Sequence, residues 1–175
     1  HSGLWDNFSY SVGQFHFETD GLRENNDQNL DLYNLFTQMN VNYSTSLQAE
    51  YRFKDTEQGD LSLLYDPENY LPELTKSKES HSFRLGMRHE FGPGNDLLFS
   101  WSYRDAQSTT QPFSTYTSQV DQHGFLAEAQ HLLRWDNLKL TTGLGHFSAD
   151  RKDVDTYSGY PPETTQGIIR HTNTY

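Results

Sequence analysis

Charged side chains recur at every second position in several stretches of this chain. Glu50, Arg52 and Lys54 do so in one stretch, Arg84, Arg88 and Glu90 keep the same phase in another with Gly86 between, and Arg104, Glu128 and Lys139 hold it in three more. The positions between and beside them carry Tyr51, Phe53, Leu85, Met87 and Leu140. A period of two sends such charges to one face of a β-strand and the apolar residues to the other. Carboxylates and guanidinium groups on one face can pair across neighbouring strands and set a transverse field. Arranged as rings around a lumen, they tune which ions or polar solutes pass. These nine residues form the candidate pore-lining set.

Other chemistry finds little support. The eight histidines show no HExxH spacing and the chain has no cysteine, so a zinc centre has no ligand set. His89 and His131 fall among apolar neighbours, as rings at an interface rather than ligands. There is no GxSxG elbow and no thiol, so nucleophilic catalysis has no local signature and no enzyme is expected. The run Asp153-Val154-Asp155-Thr156-Tyr157-Ser158-Gly159 sets alternating carboxylates near a glycine, as a calcium loop does. It lacks the third acidic ligand and the distant bidentate Glu, and a solvated acidic loop is expected there. No metal or other cofactor is called for.

The elements that must position the charges are strands. From Asp31, residues Tyr33, Leu35, Met39, Val41 and Tyr43 oppose Asn34, Gln38, Asn40 and Asn42, with Phe36 interrupting. After Ser44-Thr45-Ser46 the alternation resumes through Lys54. It returns at 81–91, 97–104, 125–133 and 138–144, and Gly167 to Tyr175 reads as a short last strand. Trp5 to Thr19 reads as a first strand whose apolar face is ambiguous. Gly92-Pro93-Gly94-Asn95-Asp96 and Trp135-Asp136-Asn137 read as short turns. Long polar loops are expected at 20–29, 55–80 (with Pro67 and Pro72), 105–121 and 148–165. Long and short connections thus alternate along the chain.

Composition bounds the class. Aromatics make up 14% of the 175 residues although the hydrophobic fraction is only 33% and mean hydropathy is -0.87. Disordered chains are poor in aromatics, and a soluble core would have to be built mainly from rings. A membrane barrel reconciles the two, because half of each strand meets lipid while the lumen and loops stay polar. A net charge of -11 excludes a nucleic-acid partner, which needs clustered Lys and Arg. The absence of cysteine fits an envelope compartment, and no apolar run reaches the roughly 18–20 residues of a membrane helix. The chain opens on His1 and is expected to be a processed protein or an excised portion.

The segments LQAEYRFKDTEQGDLSLLYDPENY, SFRLGMRHEFGPGNDLLFSWSYRD and GFLAEAQHLLR resemble the barrel region of large outer-membrane proteins. In some of these a tetratricopeptide-repeat region precedes the barrel, and this chain lacks such a helical region. The resemblance spans most of the chain in style and phrase and rests on no catalytic motif. It implies a pore or export role in the bacterial outer membrane, with other envelope or export components as partners.

The expected architecture is all-β: one antiparallel transmembrane β-barrel over 1–175, or a section of a larger one, with seven or eight strands. Long loops would be extracellular, short turns periplasmic, and the lipid bilayer the main partner. An eight-stranded barrel is filled by its own side chains and would be a sealed structural or adhesive body. A section of a larger barrel favours a channel. The competing fold is a soluble β-sandwich acting as a binding module, since alternation alone also describes a half-buried sheet.

Overall fold

Alternating β-branched, aromatic and short polar residues favour extended backbone along nearly the whole chain. The computed structural model describes residues 1–62, 69–159 and 161–174. Its strands are β1 (Ser2–Trp5), β2 (Phe8–Thr19), β3 (Gln28–Asn42), β4 (Thr45–Gln58), β5 (Thr75–Gly92), β6 (Asn95–Phe113), β7 (Tyr116–Trp135), β8 (Leu138–Tyr157) and β9 (Glu163–Thr174). They form one nine-stranded sheet in chain order, every neighbour antiparallel. The sheet is open, with β1 and β9 as its two edges. Among the described residues there is no helix.

Strand number and loop extent differ from the expectation, each for a physical reason. The stretch Trp5 to Thr19 is broken by a tight turn at Asp6-Asn7, where Asp6 takes a left-handed φ of 51°, which separates β1 from β2. Residues 105–121 are strand apart from Ser114-Thr115, and 148–157 continue β8. Both faces of these extensions are polar, so backbone pairing continues where hydrophobic contrast does not. Pro67, expected in the loop at 55–80, lies outside the described residues, as does Tyr175.

Two-residue turns close one end of the sheet at Asp6-Asn7, Tyr43-Ser44, Pro93-Gly94 and Asp136-Asn137. Gly94 sits at a φ of +75°, and a Cβ there would meet the Arg134 carbonyl oxygen at 2.6 Å, so glycine is required. The other end carries the longer connections 20–27, 59–74 and 158–162, beside the tight turn at Ser114-Thr115.

Directly paired residues share a face, so the register assigns every strand side chain. One ladder runs Phe8, Met39, Leu47, Met87, Phe99, Ala129 and Leu144, and another Val12, Leu35, Tyr51, Phe83, Tyr103 and Phe125. This is the apolar face, and it resolves β2: Phe8, Tyr10 and Val12 belong to it. Between the second ladder and the short turns it carries no Asp, Glu, Lys or Arg. Rings meet along it, with Phe83 edge-on to Trp101 at 5.8 Å and Phe53 against His81 at 4.9 Å. Beyond the second ladder the same face turns acidic, with Asp31, Asp55 and Glu79 in one row.

The sheet is a single layer without a core. Leu74 and Ala106 are the buried hydrophobic residues among those described, and no large side chain is fully buried. Leu35, Met39, Tyr51, Leu85, Phe99, Trp135 and Leu144 are all exposed.

Candidate functional site

The register gathers all nine candidate residues on the face opposite the apolar one. Glu50 pairs with Arg84, Arg52 with Ser82 and so with Arg104, and Lys54 with Ser80. Glu128 pairs with Ser100 and Lys139 with Arg134. Arg88 and Glu90 follow Arg84 at the same parity on β5. Period-two spacing within each strand, joined to an uninterrupted antiparallel ladder, is enough to align them.

Several of these charges are already engaged. The Glu50 carboxylate receives Arg52 at 2.9 Å and Arg84 at 3.5 Å, and Asn34 Nδ2 donates to it at 3.1 Å. Arg88 donates from Nε and Nη2 to Asp96 Oδ1 at 3.0 and 2.8 Å, with Glu90 at 3.6 Å. Asp96 is buried, so Arg88 is anchored by a carboxylate largely removed from water. Lys54 and Arg104 are exposed and form no ion pair among the described residues.

More charges share this face than the nine. Lys76, Lys78, Arg134 and Arg151 lie on it, with the acids Asp96, Asp153, Asp155 and Glu163. Those at 76–78 and 151–163 fall in segments expected as loops. Their spacing of two, Lys76 to Lys78 and Arg151 to Asp153 to Asp155, was the available signal. Ten of the chain's 13 Lys and Arg thus occupy one face, against seven carboxylates. The apolar face and its acidic margin carry eight carboxylates and two cations, Lys152 and Arg170.

The polar face is hollow. An open trough of about 870 Å³ is lined by Arg52, Lys78, Arg84, Arg104 and Arg151, over small residues such as Ser82, Ser102, Ala106, Gly124 and Ala149. Short side chains on β5 to β8 leave this volume free, where a packed core would fill it.

The solvated acidic loop expected at 153–159 is a correction, since β8 runs as strand through Tyr157. Asp153 and Asp155 stand on β8; Asp153 receives Arg151 Nε at 2.7 Å, and the Tyr116 hydroxyl donates to Asp155 at 3.0 Å. Hydrogen bonds from Ser118 and Tyr116 hold the Asp155 carboxyl below its ordinary range. Among the described residues no cluster of His, Asp and Glu is arranged to hold a metal. On the apolar face, His89 Nδ1 lies 2.9 Å from Thr45 Oγ1 and His131 Nε2 lies 2.6 Å from Asn95 Oδ1.

A second charged cluster, which sequence reasoning missed, ties the connections 20–27 and 59–74 together. Asp60 is 2% exposed and accepts from the backbone N–H groups of Ser62 and Leu71, each at 3.0 Å. Arg23 donates to the carbonyl oxygens of Asp60 and Ser62 at 3.1 and 2.7 Å and lies over the Tyr70 ring at 4.9 Å. Asn25 Nδ2 donates to the carbonyls of Leu71 and Leu74. The Leu71 and Ser62 N–H groups hold the Asp60 carboxyl far below the ordinary carboxylate range. The contacts of Arg23 and Asn25 span 37 to 49 residues, so no local spacing announces them.

Neither the models of known protein families nor the curated proteins include a match to this chain.

Proposed function

We propose that this chain is a section of an outer-membrane β-barrel wall, with its apolar face toward lipid and its hollow polar face toward a lumen that passes ions or polar solutes. One observation carries this: a continuous apolar face without charge, crossing at least six strands and covered by nothing among the described residues. Water does not tolerate an apolar surface of that extent, and lipid does. The dimensions agree. Phe125 to Trp135 on β7 and Phe83 to Phe91 on β5 match the roughly 9–11 tilted residues that a strand needs to cross a bilayer.

The margins agree as well. Tyr33, Phe53, Tyr51, Phe83, Tyr103 and Phe125 lie next to the acidic rows, and Trp5, Phe91 and Trp135 lie by the short turns, as aromatic girdles do. Membrane strands cannot leave edges unpaired, so the open edges of β1 and β9 favour a wall that continues into further strands. The small residues of the trough favour an open lumen over a sealed one. In this orientation the turns at Asp6-Asn7, Tyr43-Ser44, Pro93-Gly94 and Asp136-Asn137 are periplasmic and the Arg23–Asp60 cluster is extracellular. The resemblance to export-type outer-membrane barrels points the same way and makes envelope export components the natural partners.

The test is placement of Trp101 and Trp135. Reconstituted in vesicles containing brominated lipid, Trp101 is expected to be quenched most strongly by deep bromines and Trp135 by shallow ones. A monomer that is soluble without detergent and unquenched would leave the sandwich reading in its place.

A further inference from the structure

We infer that the trough on the polar face is a path for multivalent anions, solutes carrying several phosphate or carboxylate groups. This rests on the proposal that the polar face lines a lumen, and it names what that lumen favours. The chain is acidic overall, yet its cations are sorted onto one side. Four successive rows of that side each hold a cation: Lys78, then Lys54 with Arg151, then Arg52 with Arg104, then Arg84. Rows on one face are two residues apart, so the steps are about 7 Å and the ladder runs about 20 Å.

Few carboxylates answer these cations. Glu50 is shared between Arg52 and Arg84, and Asp153 is held by Arg151. Asp150 borders the trough but belongs to the other face by register, and its carboxylate receives Arg170 at 2.7 Å. Lys54, Lys78 and Arg104 face the lumen side without an ion pair among the described residues. Hydroxyl donors stand between them, at Ser80, Ser82 and Ser102. A solvated protein surface would show the chain's average composition. Here, among the described residues, the other faces and the connections carry 15 acids and three bases, against seven acids and ten bases on this face. Sorting of this kind produces a positive inner field and a negative outer one, which draws anions inward and repels cations. Regular steps let a multivalent anion engage one rung before leaving the last, so that no single site traps it.

Inorganic tripolyphosphate is the probe, titrated into the protein in zwitterionic detergent and followed by phosphorus NMR. Saturable binding is expected, weakened roughly a hundredfold by Arg104→Gln combined with Lys78→Gln, since each lost charge-assisted hydrogen bond is worth about tenfold. Lys152→Gln, on the opposite face and away from the trough, is expected to leave binding unchanged. In planar bilayers under a KCl gradient, the zero-current potential should report anion preference, and Arg104→Glu with Lys78→Glu should move it toward cations. Absent binding, or binding indifferent to the polar-face variants, would overturn the inference while leaving lipid placement of the tryptophans intact. A protein that fails to enter detergent or lipid would instead remove the membrane wall, and the same titration in buffer would still decide whether this face holds anions.

Discussion

Arg84 and Leu85 are neighbours on β5, and their side chains leave the same backbone in opposite directions. On Arg84's side lie ten cations, small residues and a hollow; on Leu85's side lie aromatic and aliphatic rows that carry no charged group between the second ladder and the short turns, with an acidic margin beyond. Neither side is a core in the usual sense, since few residues are buried on either. Two surfaces this different on one layer are what the proposed wall requires, with water on one side and lipid on the other. The Arg23–Asp60 cluster is the counterpoint: there the Asp60 carboxylate meets two N–H donors and Arg23 Nη2 meets two carbonyls, and they serve the structure of the connections themselves, although Arg23 Nη1 is buried without a hydrogen-bond partner among the described residues.

The sharpest way to break the contrast is to exchange the two residues' chemistry. Leu85 is 39% exposed, so in water Leu85→Arg should change stability by no more than about 0.5 kcal/mol. In a bilayer the same substitution is expected to cost about 2 kcal/mol, because a guanidinium would sit within the apolar band, one row in from the Phe83 girdle. Arg84→Leu should stay within about 0.5 kcal/mol in either setting, since it faces water throughout. Urea unfolding of the vesicle-inserted protein measures both. Equal small effects at the two positions would mean that both faces meet water, and the membrane wall would fall.

A smaller effect is expected from Asp60→Asn, which keeps the shape but removes the charge that two backbone N–H groups and Arg23 converge on. The connections 20–27 and 59–74 should loosen, read as faster proteolysis at that end with the strands unaffected. Its pH dependence has a definite sign. The Asp60 carboxyl is lowered in the folded state, so its contribution is present above the ordinary carboxylate value near 3.8 and is lost as pH falls through the lowered one. Acidification should therefore open this end in the native protein, and Asp60→Asn should flatten that acid limb.

The alternation from Asp31 to Lys54 was readable because its two faces differ chemically: Tyr51 and Phe53 cannot be confused with Glu50, Arg52 and Lys54. The parity it fixed carried through every later strand, and it placed all nine candidate residues on one face. Where both faces meet water the code fades. Gln107 to Gln111 and Asp150 to Thr156 look like loop because neither side is apolar, although backbone pairing holds them as strand. Arg151 was lost with the second of these segments, and Lys76 and Lys78 with the loop expected at 55–80, and with them the excess of cations on the polar face. Arg23 and Asp60 were invisible for another reason, because a contact 37 residues apart has no local pattern. Closure is invisible too, since a pairing between sheet edges depends on strands brought together from a distance.

The smallest expected effect lies at the acidic margin of the apolar face, where His16 and Asp31 pair across β2 and β3 with Nδ1 2.8 Å from Oδ1. The Asp31 hydrogen bond and charge raise the His16 pKa, with a lesser push from Glu18. A raised histidine contributes stability below its ordinary value near 6.5 and loses it as pH rises through the folded value. Both groups are open to solvent, so the shift should appear in an NMR titration of His16 while global unfolding barely responds. Asp31→Asn should return His16 toward 6.5, whereas Arg104→Gln on the polar face should leave it unmoved. A shift in His16 on loss of Arg104 would mean that the two faces share one electrostatic environment, against the separation that Arg84 and Leu85 imply.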